Sequence, residues 1–188
     1  MYNVVVADDE PIVRVYLEEL LYNNGYNIVG SADDGYDAIE LCKKTKPDFV
    51  ILDVKMPIVN GIAAAKIISK EELAGFVLLL TAYKDKTIAC QAAEAGVMGY
   101  IIKPVDEGVL IPAVEIAISK YNEIKKLNKE CQKAKIALEE RKYVDQAKNI
   151  IMNKYNISEK EAYTYIRKTA MDKGCKIGEI AKFIINSN

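Results

Sequence analysis

The sequence predicts an α/β domain with a five-stranded parallel sheet, followed by a helical coiled-coil linker and a small three-helix all-α domain. In the first part of the chain, five short apolar runs alternate with stretches of helical periodicity. From about Asp106 the helical pattern continues without further strands. Alternating strands and helices with short loops require a parallel sheet with helices on both faces. The expected boundaries are residues 1–120, 121–138 and 139–188.

The strands are predicted from runs of apolar and β-branched residues. They are Tyr2–Ala7, Asn27–Ser31, Phe49–Leu52, Phe76–Leu80 and Gly99–Ile102. Phe49–Leu52 has no polar residue, which is typical of a strand buried on both faces.

The helices between the strands are predicted from apolar residues at helical spacing and from their end signals. Pro11 suits the first turn of the first helix, and Asn24-Gly25 ends that helix. The apolar positions of this helix are Ile12, Val13, Tyr16, Leu17, Leu20 and Leu21. The second helix follows Asp34-Gly35, with Ala38, Ile39, Leu41 and Cys42 inward. The third runs from about Ile62 to Leu73 and is ended by Gly75, and the fourth from about Thr87 to Ala95.

Composition places the chain among globular proteins. Hydrophobic residues make up 51% and charged residues 28% of the 188 positions, which is the range of folded domains. Because no apolar run approaches the roughly 18 residues of a membrane span and no leader pattern begins the chain, we expect a cytoplasmic protein with no membrane partner. The absence of histidine and the wide spacing of the four cysteines argue against a zinc site.

The charge balance changes along the chain. Acidic residues exceed basic ones by seven over residues 1–112, whereas basic residues exceed acidic ones by three in each of residues 113–138 and 139–188. This asymmetry indicates two different tasks. A solvated helical surface would also give the modest basic excess of the tail.

Apolar residues recur at alternating steps of three and four from Leu110 to Leu138, with Lys120 as the one clear break. We call these positions the heptad seam; they are Leu110, Ala113, Ala117, Ile124, Leu127, Cys131, Ala134 and Leu138. The spacing is typical of a coiled coil, and the alanines and cysteine indicate a modest one. We favour a short dimer-forming coiled coil, and the alternative is one long helix that packs on its own domain.

Residues 139–188 predict three short helices. The first ends near Asn153, Ser158 and Glu161 form a capping box for the second, and Gly174 ends it. The residues expected to face inward are Tyr143, Val144, Ala147, Ile150, Ile151, Ala162, Tyr163, Ile166, Ala170, Met171, Ile177, Ile180, Ala181, Ile184 and Ile185. Such a unit is a binding module that is too small for a buried catalytic cleft.

Polar residues follow four of the predicted strands. Asp8 and Asp9 follow the first strand, Asp53 the third, Thr81 the fourth and Lys103 the fifth. Parallel strands bring their carboxyl ends to one edge of the sheet, where ligands bind. Carboxylates packed together raise one another's pKa unless a cation intervenes, and Mg²⁺ fits such a set of oxygens.

This set of side chains predicts phosphoryl-transfer chemistry. Asp53 is expected to be the nucleophile, as carboxylates are in aspartyl-phosphate enzymes. Asp8, Asp9, Asp53 and the backbone carbonyl of Lys55 are expected to hold the metal. Lys103 and Thr81 are expected to bind the phosphate oxygens, whose charge must be neutralised.

These residues resemble the receiver domain of two-component response regulators over about residues 1–120. The stretches that carry the resemblance are Asp8-Asp9-Glu10, Asp53 with Met56-Pro57 and Gly61, Leu80-Thr81-Ala82, and Gly99–Pro104. The resemblance implies a flavodoxin-like (βα)₅ fold with strand order 2-1-3-4-5, and phosphorylation of Asp53 by a sensor histidine kinase. It also implies a cis Lys103–Pro104 bond and a switch in which Thr81 moves towards the phosphoryl group and the ring of Tyr100 follows.

The tail resembles the ANTAR domain, an RNA-binding module of antitermination regulators, over about residues 136–186. The matching residues are Ala137-Leu138, Arg141, Ala147-Lys148, Ile151-Met152, Ser158–Tyr163, Ile166-Arg167, Ala170-Met171 and Ile180-Ala181. The sequence departs from the family at Asn149, where glycine is usual. The resemblance implies binding of a pair of short RNA hairpins by a dimer near a terminator.

RNA sequence is read mostly in single-stranded loops, and basic residues supply the salt-dependent part of the affinity. The candidate contacts are Arg141, Lys148, Arg167, Lys168 and Lys176, with Tyr143 or Tyr163 as stacking partners. For the basic residues a solvated helix face is an equal alternative. For Tyr143 and Tyr163, packing in the core is favoured over stacking on RNA bases.

The sequence therefore predicts a response regulator that binds RNA hairpins as a transcription antiterminator and forms a homodimer when phosphorylated. Beyond its own phosphorylation and dephosphorylation we expect no enzyme activity, because residues 139–188 contain no histidine and no cysteine or serine beside a plausible base. Two alternatives give the helical domain a protein partner or duplex DNA. The tail shows no clear helix-turn-helix with a basic recognition helix, which argues against DNA.

Overall fold

The computed structural model describes residues 1–82 and 86–187, with the side chains of residues 86–89 left out. It confirms the predicted fold class. The strands are β1 Asn3–Ala7, β2 Asn27–Ala32, β3 Phe49–Asp53, β4 Phe76–Thr81 and β5 Gly99–Ile102. The helices are α1 Pro11–Asn23, α2 Gly35–Thr45, α3 Gly61–Lys70, α4 Lys86–Glu94, α5 Glu107–Tyr155, α6 Glu159–Asp172 and α7 Ile177–Asn186.

The chain divides into two compact units, Met1–Ile124 and Lys125–Asn188. In the first unit all strand pairs are parallel, and the order is β2-β1-β3-β4-β5, as the resemblance implied. All five residues of β3 are buried, because this central strand is covered on both faces. Asp53 pairs with Leu80 in the register of β3 and β4, which brings the ends of these strands together.

Helices cover both faces of the sheet. Alternate strand residues point to opposite faces, so Val5 belongs to the core beneath α2, α3 and α4, while Val4 belongs to the core beneath α1 and α5. Helix α1 buries only Leu17, Leu20 and Leu21. Of its other apolar residues, Ile12 and Tyr16 are exposed, because they lie on the flank of the buried stripe.

The end of α3 differs from the prediction. The helix ends at Lys70 instead of Leu73, and Glu72 has a left-handed backbone (φ +50°). Gly75 is therefore not the stop signal. A Cβ atom at Gly75 would lie 2.3 Å from the carbonyl oxygen of Asp48, so this glycine allows two loops of the chain to approach closely.

Helix α5 is one continuous helix of 49 residues, so helical structure does continue from the first unit into the second, as predicted. Its first part buries Leu110, Val114 and Ala117 against the sheet. Residues 122–139 are all exposed in the monomer. The seam therefore has two parts, a core part and a solvent-exposed part, and the coiled coil stays a prediction.

The second unit packs the end of α5 against α6 and α7. Its buried core is small, and it consists of Val144, Ala147, Ile151, Ala162, Ile166, Ala170, Ile180 and Ala181. The predicted capping box is confirmed: Ser158 caps the amide of Glu161, and the Glu161 carboxylate accepts from the amide of Ser158.

Two residues of α6 that were predicted to face inward are exposed. Tyr163 is 43% and Met171 is 73% exposed, so the prediction of core packing for both is wrong. The buried residues of α6, Ala162, Ile166 and Ala170, repeat every four positions. Tyr163 and Met171 each follow one of them by one position and therefore lie outside the buried stripe. Tyr143, by contrast, packs against the core.

Asn149, where the resemblance leads one to expect glycine, is also exposed on α5. No helix of the described residues is long and apolar enough to cross a membrane.

Candidate functional site

The predicted residues at the carboxyl edge of the sheet meet around one ammonium group. Lys103 Nζ lies 2.7 Å from Asp8 Oδ2 and 2.7 Å from Asp53 Oδ1. Asp8 is fully buried, and Asp53 and Thr81 are 5% and 1% exposed. One partly buried cation thus joins the ends of β1, β3 and β5, which are up to 95 residues apart in sequence.

Backbone hydrogen bonds fix these side chains. The backbone N–H of Lys103 donates to the carbonyl of Thr81 at 2.7 Å, and the Lys103–Pro104 bond is cis, as the resemblance implied. The backbone N–H of Lys55 donates to Asp53 Oδ2 at 2.6 Å. Since the other oxygen of Asp53 faces Lys103, both carboxylate oxygens of Asp53 are held in place.

Gly61 allows the loop after β3 to close tightly beneath Asp53. Its backbone N–H donates to the carbonyl of Val54 at 3.0 Å. A Cβ atom at this position would lie 1.9 Å from the carbonyl oxygen of Asp53. Any side chain here would therefore displace the backbone that carries the carboxylate.

Burial and ion pairing have opposite effects on the pKa values of Asp53 and Lys103. Burial raises the pKa of Asp53 above its ordinary value, and the nearby ammonium of Lys103 offsets this only in part. For Lys103, burial alone would lower the pKa, but the hydrogen bonds to Asp53 and Asp8 outweigh burial and raise it. Lys103 is thus a permanent cation between two carboxylates at neutral pH.

Asp53 opens into a small cavity that we call the acidic cleft. Its volume is about 200 Å³, and it is lined by Asp9, Glu10, Asp53, Val54, Lys55, Thr81, Ala82 and Lys103. Asp8 stands behind it, bonded to Lys103. Of the predicted site residues, Asp9, Asp53, Lys55, Thr81 and Lys103 line this cleft, and Asp8 contacts Lys103.

The acidic cleft fits a hard divalent cation by its donor chemistry, since carboxylate and carbonyl oxygens are the preferred ligands of Mg²⁺. Receiver domains use Mg²⁺ at such an acidic pocket. A tighter trio of acidic residues, with oxygens within 4.8 Å of one another, consists of Asp33, Asp34 and Asp37. In that trio Asp34 caps α2 by accepting from the backbone N–H of Asp37, so its carboxylate already has a structural role.

Tyr100, the expected switch residue, lies on the edge strand β5 and is 46% exposed. Its strand partner across the ladder is Leu79, two residues before Thr81. The two residues expected to form the switch, Thr81 and Tyr100, thus lie on adjacent strands.

Sequence reasoning missed Arg14. Its Nη1 donates to the backbone carbonyl of Asp8 at 2.6 Å, so it braces the turn between β1 and α1 that carries Asp8 and Asp9. An arginine one turn into the helix that follows the acidic run was the available signal.

The basic residues predicted to contact RNA lie in the second unit in two kinds of environment. Arg141 and Lys148 line a cavity that we call the helical cleft, together with Ala137, Glu140, Val144, Asp145, Tyr163 and Ile177. Arg167 and Lys168 lie on α6, and Lys176 immediately precedes α7; all three are exposed.

Lys148 differs from the other four basic residues because it is paired. Its ammonium lies 2.7 Å from Asp145 and 2.6 Å from Glu159, and its side chain is only 15% exposed. Exposed ion pairs contribute little stability, but two carboxylates on one ammonium fix its position. Lys148 was predicted to contact RNA, but its ammonium already forms ion pairs with Asp145 and Glu159.

Comparisons with known proteins agree with this geometry. The family model of the response regulator receiver domain matches residues 4–115, and that of the ANTAR domain matches residues 132–185. The chain is similar to the transcriptional regulatory protein PdtaR of Mycobacterium tuberculosis, with 39% identity over 184 residues that make up 98% of this chain and 89% of the relative.

Two solved structures are similar to the first unit. A two-component response regulator of the LuxR family from Aurantimonas sp. SI85-9A1 has a TM-score of 0.59 and 32% identity, and the match covers 64% of this chain and 86% of that chain. A chain of the CheX–CheY complex with BeF3 and Mg²⁺ from Borrelia burgdorferi has a TM-score of 0.58 and 26% identity, with coverages of 62% and 89%.

Proposed function

Since the chain belongs to the response regulators, with a receiver domain followed by an ANTAR domain, we propose that phosphorylation of Asp53 controls its binding to hairpin RNA and thereby transcription antitermination. Such a protein is a regulator, not an enzyme in the usual sense. The proposed domains are a receiver over residues 1–120, a coiled-coil linker over 121–138 and an RNA-binding domain over 139–188. The observation that carries the proposal is the ammonium of Lys103 shared by Asp8 and Asp53.

Asp53 is the proposed phosphoacceptor because it is the carboxylate that lines the acidic cleft, is fixed at both oxygens and faces a cation. The donor is a phosphohistidine of a sensor kinase. An oxygen of Asp53 attacks phosphorus, the P–N bond breaks, its electron pair returns to the imidazole, and an acyl phosphate forms.

Lys103 and Thr81 then bind the phosphoryl oxygens. Lys103 can exchange its contact with Asp53 for a contact with the new phosphoryl group while it keeps Asp8 as a partner. Asp8, Asp9, Asp53 and the backbone carbonyl of Lys55 would hold Mg²⁺, which supplies charge neutralisation at the phosphoryl oxygens.

The switch proceeds from Thr81 to Tyr100. A phosphoryl group within reach of the Thr81 hydroxyl stabilises the state in which Thr81 points towards it, and the exposed ring of Tyr100 takes up the space that Thr81 leaves. Because Tyr100 is on a surface strand, its movement changes a face that other molecules can contact.

The second unit is proposed to bind RNA through exposed basic residues. Arg167 and Lys168 on α6, Lys176 before α7 and Arg141 on α5 are free of carboxylate pairing among the ion pairs of the described residues. Arg167, Lys168 and Lys176 are placed to neutralise phosphates, which makes the affinity depend on salt, whereas Arg141 lines the helical cleft. Because the charge of Lys148 is already paired with Asp145 and Glu159, we expect this residue to add less to the salt-dependent RNA affinity than the other basic residues.

Phosphorylation is proposed to favour a homodimer formed through the exposed part of the heptad seam. Ile124, Leu127 and Leu138 are 47%, 55% and 57% exposed, and they are seam positions without a partner within the chain's own core clusters. A second copy of α5 would bury them in knobs-into-holes packing.

The test is binding of the purified chain to a tandem-hairpin RNA across a salt series, with and without acetyl phosphate and Mg²⁺. We expect salt-sensitive binding that strengthens with acetyl phosphate. Asp53→Asn is the control, because it keeps the shape of the side chain and cannot be phosphorylated. Salt-insensitive binding, no binding, or equal binding to duplex DNA would contradict the RNA assignment and favour a protein partner or DNA. An unchanged response in Asp53→Asn would contradict the role of Asp53.

A further inference from the structure

The helical cleft is a cavity of about 370 Å³ where α5, the first half of α6 and the start of α7 come together. This volume is at the small end of the roughly 300–1,000 Å³ typical of small-molecule sites. It admits one flat ring with a sugar and excludes a duplex. Its walls include Val144 and Ile177, and Tyr163 lines it from α6.

Tyr163 is an exposed aromatic residue beside the buried stripe of α6. Its neighbour Ala162 is buried in the core, while the Tyr163 side chain is 43% exposed and lines the cleft. Tyr165, two residues later on α6, is 48% exposed but packs against Tyr155, with ring centroids 6.1 Å apart, outside the cleft lining. The helix thus offers two similarly exposed tyrosines, and one of them stands at a cavity.

The charges at the cleft balance. Two basic residues, Arg141 and Lys148, line it together with two acidic ones, Glu140 and Asp145, so the cleft as a whole does not attract an anion. Lys148 is fixed by Asp145 and Glu159, and Asp145 remains 53% exposed. The cleft therefore presents donors and acceptors side by side next to an aromatic face.

We propose that the helical cleft binds one unpaired RNA base, stacked on the ring of Tyr163, with its polar edge hydrogen-bonded by Arg141 and Asp145. This inference rests on the proposed function, because the loop of a hairpin supplies the unpaired base. A neutral ring with donors and acceptors at its edge suits a charge-balanced cleft better than a phosphate does, and exposed bases are the parts of RNA that proteins stack on aromatic side chains. The phosphates are left to the exposed basic residues outside the cleft.

The experiment starts from stem–loop RNAs with a randomised loop, from which the full-length chain selects a tight binder. Each loop base is then replaced in turn by an abasic site, and affinities are measured for the wild type, Tyr163→Ala, Tyr163→Phe and Tyr165→Ala. Stacking of one base is worth roughly a 5- to 150-fold change in affinity. We therefore expect Tyr163→Ala to weaken binding by about 10-fold or more, and Tyr163→Phe and Tyr165→Ala by less than about 3-fold.

The abasic series locates the base. At one loop position the abasic RNA should bind the wild type as weakly as the intact RNA binds Tyr163→Ala, and combining the two changes should cost no more than either alone. At the other positions the two losses should add. Circular dichroism of Tyr163→Ala checks that the helices are intact, and Arg141→Ala, which leaves α6 unchanged, should show the same coupling at the same position.

The outcomes separate this inference from the function on which it rests. If the wild type selects and binds stem–loops but the losses add at every position, or Tyr163→Ala binds as tightly as the wild type, the base site is wrong and RNA binding stands. If the wild type selects no RNA at low salt, the proposed function and the base site both fail.

Discussion

At the scale of single residues, the arrangement at the sheet edge is one cation shared by two buried carboxylates. A buried carboxylate is costly unless a partner compensates it, and Lys103 must serve both Asp8 and Asp53 at 2.7 Å. Asp53 is thereby left partly uncompensated, as its raised pKa shows. A carboxylate in this condition is stabilised by the arrival of a further cation or by conversion to an acyl phosphate whose oxygens Lys103 binds.

The pKa of Asp53 leads to a prediction about stability. Because this pKa is higher in the folded protein than in the unfolded chain, the folded state binds more protons between the two values, and stability falls as the pH rises through that window. Asp53→Asn resembles the protonated form. We therefore expect it to raise the free energy of unfolding at pH 7 in the absence of divalent cations, with the difference from the wild type shrinking as the pH falls through the raised pKa.

Urea denaturation of both proteins from neutral to acidic pH measures this difference. A difference in the free energy of unfolding that stays constant with pH would contradict the raised pKa of Asp53. An Asn variant that is less stable than the wild type at pH 7 would show that pairing with Lys103 outweighs burial.

Gly61 leads to a second prediction at this scale. Gly61→Ala would place a Cβ atom 1.9 Å from the carbonyl oxygen of Asp53, and because the neighbour is backbone, relief requires the loop to move. We expect a loss of about 2 kcal/mol or more in the free energy of unfolding, together with slower phosphorylation of Asp53 by acetyl phosphate.

Gly25→Ala is the matched control for Gly61→Ala. Gly25 has φ +84° and open space around it, so only the backbone conformation resists a side chain, at a cost of about 1–2 kcal/mol. This variant should leave phosphorylation unchanged. Equal stability of Gly61→Ala and the wild type would contradict the close approach.

At the scale of elements, α5 shows one pattern of apolar spacing in two settings. Leu110, Val114 and Ala117 face the sheet, whereas residues 122–139 face solvent. The spacing of three and four residues is the same for a helix that packs on a sheet and for a helix that pairs with another helix. For that reason the sequence left both interpretations open, and the structure assigns the first to the early turns of α5.

The exposed part of the seam can be tested with two leucine-sized residues. Leu138 is a seam position and Ile136 is not, and they are 57% and 55% exposed. We expect Leu138→Glu to weaken the dimer formed with acetyl phosphate by about 10-fold or more, because a charge would enter the seam, and Ile136→Glu to have little effect. Sedimentation equilibrium measures both, and equal dissociation constants would contradict the seam.

In helix α6, helical periodicity predicted more buried residues than the structure contains. Tyr163 and Met171 follow buried residues by one position, about 100° further round the helix, and a narrow buried stripe excludes them. This core is formed by the end of α5 and two short helices, α6 and α7, so each buries a narrow strip of its surface. The width of a buried stripe depends on the neighbours, which local sequence does not specify.

At the scale of the whole molecule, a receiver and an RNA-binding unit lie on one chain joined by the continuous helix α5. Signal transfer is then a shift between pre-existing states, driven by contacts that only the phosphorylated form can make. Lys103 is central to this proposal because it would change partners from Asp53 to the phosphoryl group.

The coupling leads to a prediction for Lys103→Ala. Without the ammonium, a phosphoryl group at Asp53 has no fixed partner, so we expect the RNA affinity of this variant to be the same with and without acetyl phosphate and Mg²⁺, while the wild type binds more tightly with them. Electrophoretic mobility shifts measure both affinities. Lys44→Ala, an exposed lysine near the end of α2, is the control and should keep the full response; a full response in Lys103→Ala would contradict the proposal.

The sequence by itself determined the alternation of strands and helices, the cap at Ser158, the start of α1 at Pro11, and the set of polar residues at the strand ends. These features follow from periods of 2 and 3.6 residues and from backbone preferences, which are local. Only the tertiary structure decided that Lys103 joins Asp8 and Asp53, that Arg14 braces the first turn, and that Tyr163 stands at a cleft. Those contacts depend on which distant segments pack together, because burial is satisfied by the whole fold at once and not by any one stretch of the chain.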